Sequence, residues 1–487
     1  MTDAAGPHPV PERDPAQGRG PGPERVPEKQ EKPEKQAEPG RLAYLAMLGT
    51  TTVGALSGNV INAPLHRIQQ DFGATDSQTV LAVSAFTVSM VIFVPFTGWL
   101  CDRFGTVRIV LGGLAIMIVA QAFAAFSVNL EMLIVLRVVQ GIACSTFPPG
   151  VQRALVALWP SKGQAAMAAW ASAIGVGQAV GPPVGGVVSE IFGWRAVFIL
   201  QASLCLLLAV VIVVAVPKVR GRQAPIHGIG MAVLMIAMGA SVLLVTLVGQ
   251  RADPLAEAVV AIIASLGLVV YVVLAARYPE TLFEPRSLLE KRYIRGTVSA
   301  GSTMFIMGVC LVSLPLYLGE RLGLTPGPVG LVVFAMAFAM AVSGRLTSWL
   351  SAKLSMRTVI EMGLGVLIFA PLVLGWWTSR ESDSARVQVA VVIVLLLLIG
   401  AGLNAGQSIA AYAISRSLAA KNSMAFGIHN TSRFMGMATG YAWAALIYPL
   451  GAPVLLYAGA SVVALVALLT TVIGGPAGQV EPAREPV

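Results

Sequence analysis

The chain has 487 residues and is 56% hydrophobic and only 12% charged, with a formal net charge of +9 and a mean hydropathy of +0.76. Soluble domains carry about a quarter charged residues, so aqueous domains of any size are excluded, and the charges fall in short gaps between apolar runs of roughly 20 residues. The positive balance reads as loop charge facing anionic lipid, and no nucleic-acid partner is expected because no aromatic-interleaved basic patch or helix-turn-helix pattern appears.

Residues 1–41 are a different material, with Pro, Glu, Lys and Gln in near-repeats (PEKQEKPEKQAEPG). Such a segment cannot offset its ordering entropy, which predicts a disordered cytoplasmic tail. It lacks the apolar core and small-residue cleavage site of a signal peptide and is expected to be retained. Residues 475–487 are a shorter tail of the same kind.

Fourteen apolar spans are predicted between the tails, at 43–63, 79–100, 107–127, 131–152, 164–189, 195–216, 228–249, 256–276, 297–318, 327–349, 358–378, 387–411, 423–446 and 453–474. The fold class is therefore an all-α, multi-pass membrane protein in the lipid bilayer. An even count places both termini on one side. Gaps on that side hold sixteen lysines and arginines; the opposite gaps hold six, Arg67, Arg195, Arg251, Arg321, Arg380 and Arg386. This bias puts both termini in the cytoplasm and the protein in the inner, or plasma, membrane.

The count divides as six, two and six: a six-helix bundle over 42–217, two inserted helices over 228–276 and a second six-helix bundle over 297–474. The short basic turn LCDRFGTVR follows the second span, and SAKLSMR follows the second span of the last six, as duplicated halves predict. Cys101, Cys144, Cys205 and Cys310 lie in or beside apolar runs and read as small packing residues. No disulfide framework, metal site or other cofactor is expected.

In the first span, LSGNVINAPLHRI offers Asn59 and Asn62 as uncharged hydrogen-bonding groups. The turn after span 2, GWLCDRFGTVRIVLGG, brings together Gly98, Asp102, Arg103, Gly105 and Arg108. Gly105 suits a tight reversal. The Asp102 carboxylate can pair with Arg108 or cap a facing helix, which would latch that side of the protein shut. The alternative is a generic basic turn.

LRVVQG in span 4 places Arg137 one helical turn from Gln140 and Gly141, about 10 Å below the outer surface. An arginine in hydrocarbon costs several kcal/mol unless it meets a cavity or a partner; the alternative is an interfacial residue that snorkels.

Span 5 contains GVGQAVGPPVGG, residues 175–186. Gly177, Gly181 and Gly185 recur every fourth residue and form a bare stripe for close helix packing. Gln178, Pro182, Pro183 and Gly186 lie within the same segment. Each proline removes a backbone donor and bends the helix, which is tolerated in a membrane where neighbouring helices keep the backbone bonded.

Asn404 and Gln407 in span 12, and His429, Asn430 and Arg433 in span 13, complete the candidate cavity or coupling residues. Each amide alone reads more readily as helix–helix glue than as a substrate contact. Every acidic residue lies in a tail, a gap or the first or last turn of a span, so no carboxylate is buried deep enough to titrate near neutrality. His429 is the remaining group suited to proton coupling; the alternative is that Arg433 is a packing residue bonded to backbone carbonyls and His429 a neutral polar contact.

The span 2 turn, LRVVQG, GVGQAVGPPVGG, FGWRAVF (192–198) and GIHNTSRFMG (427–436) together resemble the major facilitator superfamily, and within it the fourteen-span drug:proton antiporter branch. The resemblance covers about residues 42–474. It implies alternating access around a central site, export from the cytoplasm and energy from the proton gradient. The chain departs from the branch where Ser57 and Asn59 replace an aspartate and a threonine in span 1. Only Asn62 of that trio is kept, and His66 stands for a later proline. His227 occupies another common aspartate position, and Thr106 replaces a basic residue.

The reading is a monomeric exporter of a small amphiphilic drug or natural-product antibiotic. With Arg137 and Arg433 deep in the spans and no acid, neutral or anionic substrates fit best. Alternatives are an uptake carrier or uniporter on the same scaffold, and a transport-inactive sensor or scaffold. An enzyme is not expected, since no nucleophile–base pair, metal spacing or phosphate loop is present.

Overall fold

The computed structural model describes residues 38–62, 64–74, 76–219, 221, 227–249, 253–278, 289–324, 326–380, 384–421 and 423–473. The expected disordered tails lie outside the described residues, save for 38–41, as do Arg220, Arg222, Arg251 and Arg286 of the charge count. The described residues from Pro39 onward belong to one compact unit.

Its described elements are all helical: α1 (Arg41–Asn59), α2 (Leu65–Phe72), α3 (Asp76–Phe104), α4 (Thr106–Ala125), α5 (Leu130–Cys144), α6 (Phe147–Leu158), α7 (Gly163–Phe192), α8 (Trp194–Ala215), α9 (Gly228–Gly249), α10 (Pro254–Arg277), α11 (Lys291–Leu316), α12 (Pro326–Lys353), α13 (Met356–Thr378), α14 (Ala385–Ser415), α15 (Ser423–Ile447) and α16 (Pro453–Val472). Each predicted span coincides with one of these helices, except that span 4 is the pair α5 and α6. The chain breaks there before Pro148 and Pro149, whose missing donors interrupt the ladder. Span 4 also runs on to Leu158, beyond its predicted end at 152.

Among the described residues, eleven helical stretches are long and apolar enough to cross a membrane. Against the fourteen spans expected, α1, α7 and α15 fall short. Glycine, proline, threonine and polar side chains interrupt all three, among them the run His429, Asn430, Thr431, Ser432 and Arg433. Low apolarity here goes with packing against protein: Asn430, Thr431 and Arg433 are buried.

Local chemistry sets the helix ends. Gly105 reverses the chain between α3 and α4 at φ 92°, a conformation open to glycine without strain. A side chain there would also collide with the Val219 carbonyl. Asn129 Oδ1 accepts from Met132 N at 2.8 Å and caps α5. His227 Nδ1 accepts from Gly230 N at 3.0 Å and does the same for α9, so this histidine performs the capping that an aspartate would.

Packing pairs recur along the chain. α1 packs on α7 as α11 packs on α15; α3 on α5 as α12 on α14; α4 on α8 as α13 on α16. α9 packs against α3 and α15, while α10 packs on α9.

The first of these pairs explains the glycine stripe. A Cβ on Gly177 would collide with the Thr52 carbonyl, one on Gly181 would sit 3.4 Å from the Leu56 carbonyl, and one on Gly185 would collide with the Val60 carbonyl. Both helices therefore step by four residues, and bare backbone meets bare backbone. α15 repeats the device against α11, where Gly436 abuts the Gly301 carbonyl and Gly440 the Phe305 carbonyl. Pro182 and Pro183 lie inside α7, which stays helical through both.

Candidate functional site

A cavity of about 450 Å³ lies among α1, α3, α7, α9, α11 and α15, with Cys144 at the end of α5 and Phe147 and Pro148 at the start of α6 also in its wall. Its wall on α1 begins at Thr51 and on α15 at Arg433, so it occupies the half of the helices remote from their terminus-bearing ends. Two periodicities build it. On α7, Trp170, Ile174, Gln178 and Pro182 recur every fourth residue along the cavity, beside the glycine stripe that meets α1. On α15, Arg433, Met437, Tyr441 and Ala445 do the same, beside Gly436 and Gly440. Each helix thus turns one face to its partner and the adjacent face to the cavity.

The wall is mostly apolar, and none of its described lining residues is acidic. Its one charge is Arg433, which is 1% exposed. Arg433 Nη1 donates to Asn430 Oδ1 at 2.8 Å and Nη2 donates to Gln407 Oε1 at 2.7 Å. The guanidinium carbon sits 4.6 Å from the centre of the Trp170 ring. Arg433 Nε, Trp170 Nε1 and Gln178 Oε1 are buried without a hydrogen-bond partner.

The terminus-side half is closed. A Cβ on Gly427 would fall 2.8 Å from Pro95 Cα, bringing α15 against α3. Asn430 Nδ2 donates to Gln152 Oε1 on α6 at 2.7 Å. Asn404 Nδ2 donates to Ser172 Oγ at 3.0 Å and to the Met340 carbonyl at 2.9 Å, tying α14 to α7 and α12.

The span 2 turn departs from its expected pairing. Asp102 pairs at 3.1 Å with Arg153 of α6, its side chain 3% exposed, while Arg108, the partner suggested by the sequence, is exposed, as is Arg103. Gly98 is buried within α3.

Arg137 is fully buried but does not line the cavity. Its Nε donates to the Ala82 carbonyl at 3.0 Å, and Nη1 donates to the Ser57 carbonyl at 3.1 Å and to Gln140 Oε1 at 3.0 Å. It clamps α5 to α1 and α3 and stacks 4.4 Å over Phe86. A Cβ on Gly141 would collide with Phe86 O and Ser89 Oγ.

Asn59 lines the cavity and donates to the Ala55 carbonyl at 3.3 Å. Asn62 ends a 3-10 turn, Val60–Asn62, and its side chain lies outside the described residues. His429 is buried one turn from Arg433; its Nδ1 faces Thr297 Oγ1 at 3.5 Å and its Nε2 has no partner. Gly186 is half-buried on α7.

Sequence reasoning missed Trp170, Gln152, Arg153 and the α15 stripe. Trp170 stands eight residues before Gln178, and GMATG spaces Gly436 and Gly440 by four, so both were readable as helical faces. Gln152 and Arg153 pair with residues distant in sequence and carried no such signal.

The Major Facilitator Superfamily model matches residues 45–440. "Putative multidrug resistance protein MdtD" from Escherichia fergusonii is 22% identical over 335 residues, 66% of this chain and 70% of that protein. The protein of the same name from Escherichia coli is equally similar. Among solved structures, the human organic anion transporter MFSD10 (TETRAN) superposes with a TM-score of 0.64 at 14% identity, covering 88% of this chain and 99% of that one.

Proposed function

The chain belongs to the major facilitator superfamily, a multi-pass membrane transporter, and from that premise we propose that it exports a small amphiphilic drug or natural-product antibiotic from the cytoplasm. The observation that carries this reading is a cavity whose described lining holds no acid and one charge, Arg433. Such a wall favours neutral or anionic molecules and disfavours lipophilic cations. Similarity to the multidrug resistance proteins named above supports drug efflux.

The paired packing of α1–α7 with α11–α15, and of the other recurring pairs, supports two six-helix bundles, 42–217 and 297–474, with 228–276 inserted between them. With both termini cytoplasmic and fourteen crossings, the closed half faces the cytoplasm. Alternating access then consists of parting the α6–α15 and α7–α12–α14 contacts while the remote half closes. The protein acts as a monomer driven by the proton gradient, with His429 or the Asp102 pair as the coupling group.

The test is a resistance and efflux panel of anionic, neutral and cationic drugs, with and without an uncoupler. Strong resistance to quaternary ammonium dyes with none to anionic drugs would overturn the substrate class. Unchanged uncoupler-sensitive efflux in a His429→Ala, Asp102→Asn double variant would remove both coupling candidates. The lack of a cavity carboxylate favours one second reading, an uncoupled uniporter or uptake carrier. Flux direction in inverted vesicles, with and without an imposed pH gradient, separates it from the first.

A further inference from the structure

The cavity is wired to the closed half through one amide. Asn430 Oδ1 accepts from Arg433 Nη1 at 2.8 Å, while Asn430 Nδ2 donates to Gln152 Oε1 at 2.7 Å and to the Phe426 carbonyl at 2.8 Å. Both hydrogens of the amide nitrogen are thus used, and its oxygen faces a cation. Turning the amide over would set its NH2 against the guanidinium and its oxygen against two acceptors, so its orientation is fixed. Asn430, Gln152 and Gln407 are 0–1% exposed. Arg433 belongs to the cavity wall, and Gln152 belongs to α6 in the closed half.

The same cluster holds more unpaired donors than acceptors, with Gln178 Oε1 the unpaired acceptor of the cavity wall. Arg433 Nε, Trp170 Nε1, Gln407 Nε2 and Gln152 Nε2 are all buried donors without a partner. A buried unpaired donor costs about 1–3 kcal/mol, and a buried guanidinium without a counter-charge is more demanding still. The missing partner is an acceptor, and the cavity is the side from which one can arrive.

We propose that an anionic group of the cargo becomes the counter-ion of Arg433 and competes with Asn430 for it, so that filling the cavity loosens the Asn430–Gln152 bridge and frees α15 from α6. The proposal rests on the cavity being the substrate site and adds how occupancy reaches the opposite end. Asn430 and Gln152 are positioning residues in it: they act through Arg433 and do not touch cargo. Competition for a single guanidinium gives the differential interaction that any ligand-driven population shift requires.

The relay is testable without cargo. Spin labels at Phe104→Cys, the last residue of α3, and Leu418→Cys, between α14 and α15, both exposed, report the closure by their distance distribution. The four native cysteines are buried. Gln152→Leu and Arg433→Met should each raise the long-distance population about two- to tenfold, and the double variant should exceed the larger single effect by little, because groups in one network are non-additive. Gln152→Glu keeps the acceptor and should stay closed like the parent. Arg433→Lys, which keeps the charge without the fork, should give a partial shift and guards against misfolding in the methionine variant. Additive effects, or closure indifferent to Arg433, overturn the relay. Fluorescein, an amphiphilic carboxylate, should lengthen the parent distance and leave the Asn430→Leu distance unmoved; an equal response in both also overturns it. A non-additive cycle with no response of the parent to fluorescein would instead fault the cavity as the anion site.

Discussion

Arg433 of α15 and Trp170 of α7 meet face to cation, 4.6 Å from guanidinium carbon to ring centre, across the cavity floor. The pair holds the charge where cargo arrives and joins the two helices that carry the glycine stripes. Cation–π contacts are worth about 0.5–1 kcal/mol when exposed and about 2 kcal/mol when desolvated. Trp170→Phe should therefore retain most anionic-dye binding, whereas Trp170→Leu should weaken it by about 5- to 30-fold. Fluorescence anisotropy with fluorescein on purified protein measures both. Equal affinity in all three proteins would mean that the ring does not hold the guanidinium for cargo.

The stripe on α7 should tolerate almost nothing. Gly177→Ala drives a methyl group into the Thr52 carbonyl of α1 and Gly185→Ala into the Val60 carbonyl of the turn that follows it, and overpacking of this kind costs about 1–3 kcal/mol. Gly112 on α4 has open space around its Cα, and Gly112→Ala is the control with no expected loss. Thermal unfolding in detergent should show lower midpoints for the first two variants only. A Gly177→Ala protein as stable as the Gly112→Ala protein would argue that α1 and α7 are not packed this closely.

Much of this fold is legible in the chain because helix length, glycine spacing and buried charge are local properties. The every-fourth-residue glycines gave the α1–α7 contact its character before any partner was known. The burial of Arg137 is equally readable, yet its bonding to the Ser57 carbonyl is not. That carbonyl lies in the last turn of α1, and only the folded chain brings it to the guanidinium. Asp102 shows the same limit. The sequence marks the carboxylate as a latch and offers the nearby Arg108, but the partner, Arg153, arrives with α6 from 51 positions further on. The acid-free cavity was readable only as an absence; which donors surround it depended on packing.

The Asp102–Arg153 pair yields a third prediction. Asp102 is nearly inaccessible while Arg153 is a quarter exposed, so the pair is only partly desolvated and its coupling should fall within about 0.5–3 kcal/mol. Asp102→Asn and Arg153→Gln should each slow transport, and the double variant should lose less than the sum of the two. Initial efflux rates in everted vesicles provide the cycle. Strict additivity would show that the two side chains act independently, and the latch would then have to be sought among other contacts of the turn.

α9 makes the inserted pair more than a spacer. It packs between α3 and α15, and Val242, Val245, Thr246 and Gly249 face the cavity. A Cβ on Gly249 would come 3.0 Å from Ala442 on α15, so the two helices touch closely at the remote end. Thr246 spends its hydroxyl on the Val242 carbonyl at 2.9 Å, which leaves Val245 as the position where bulk can be added without breaking a bond. Val245→Trp should narrow the cavity and select by size: affinity for a small anionic drug should change by less than about threefold, and that for a bulky one should fall at least tenfold, a difference of roughly 0.7 kcal/mol or more. Thr246→Val, which removes only the internal bond, should leave both affinities near the parent values. If Val245→Trp weakens small and bulky ligands alike, α9 supports the fold without shaping the substrate wall, and selectivity must then reside on α7 and α15 alone.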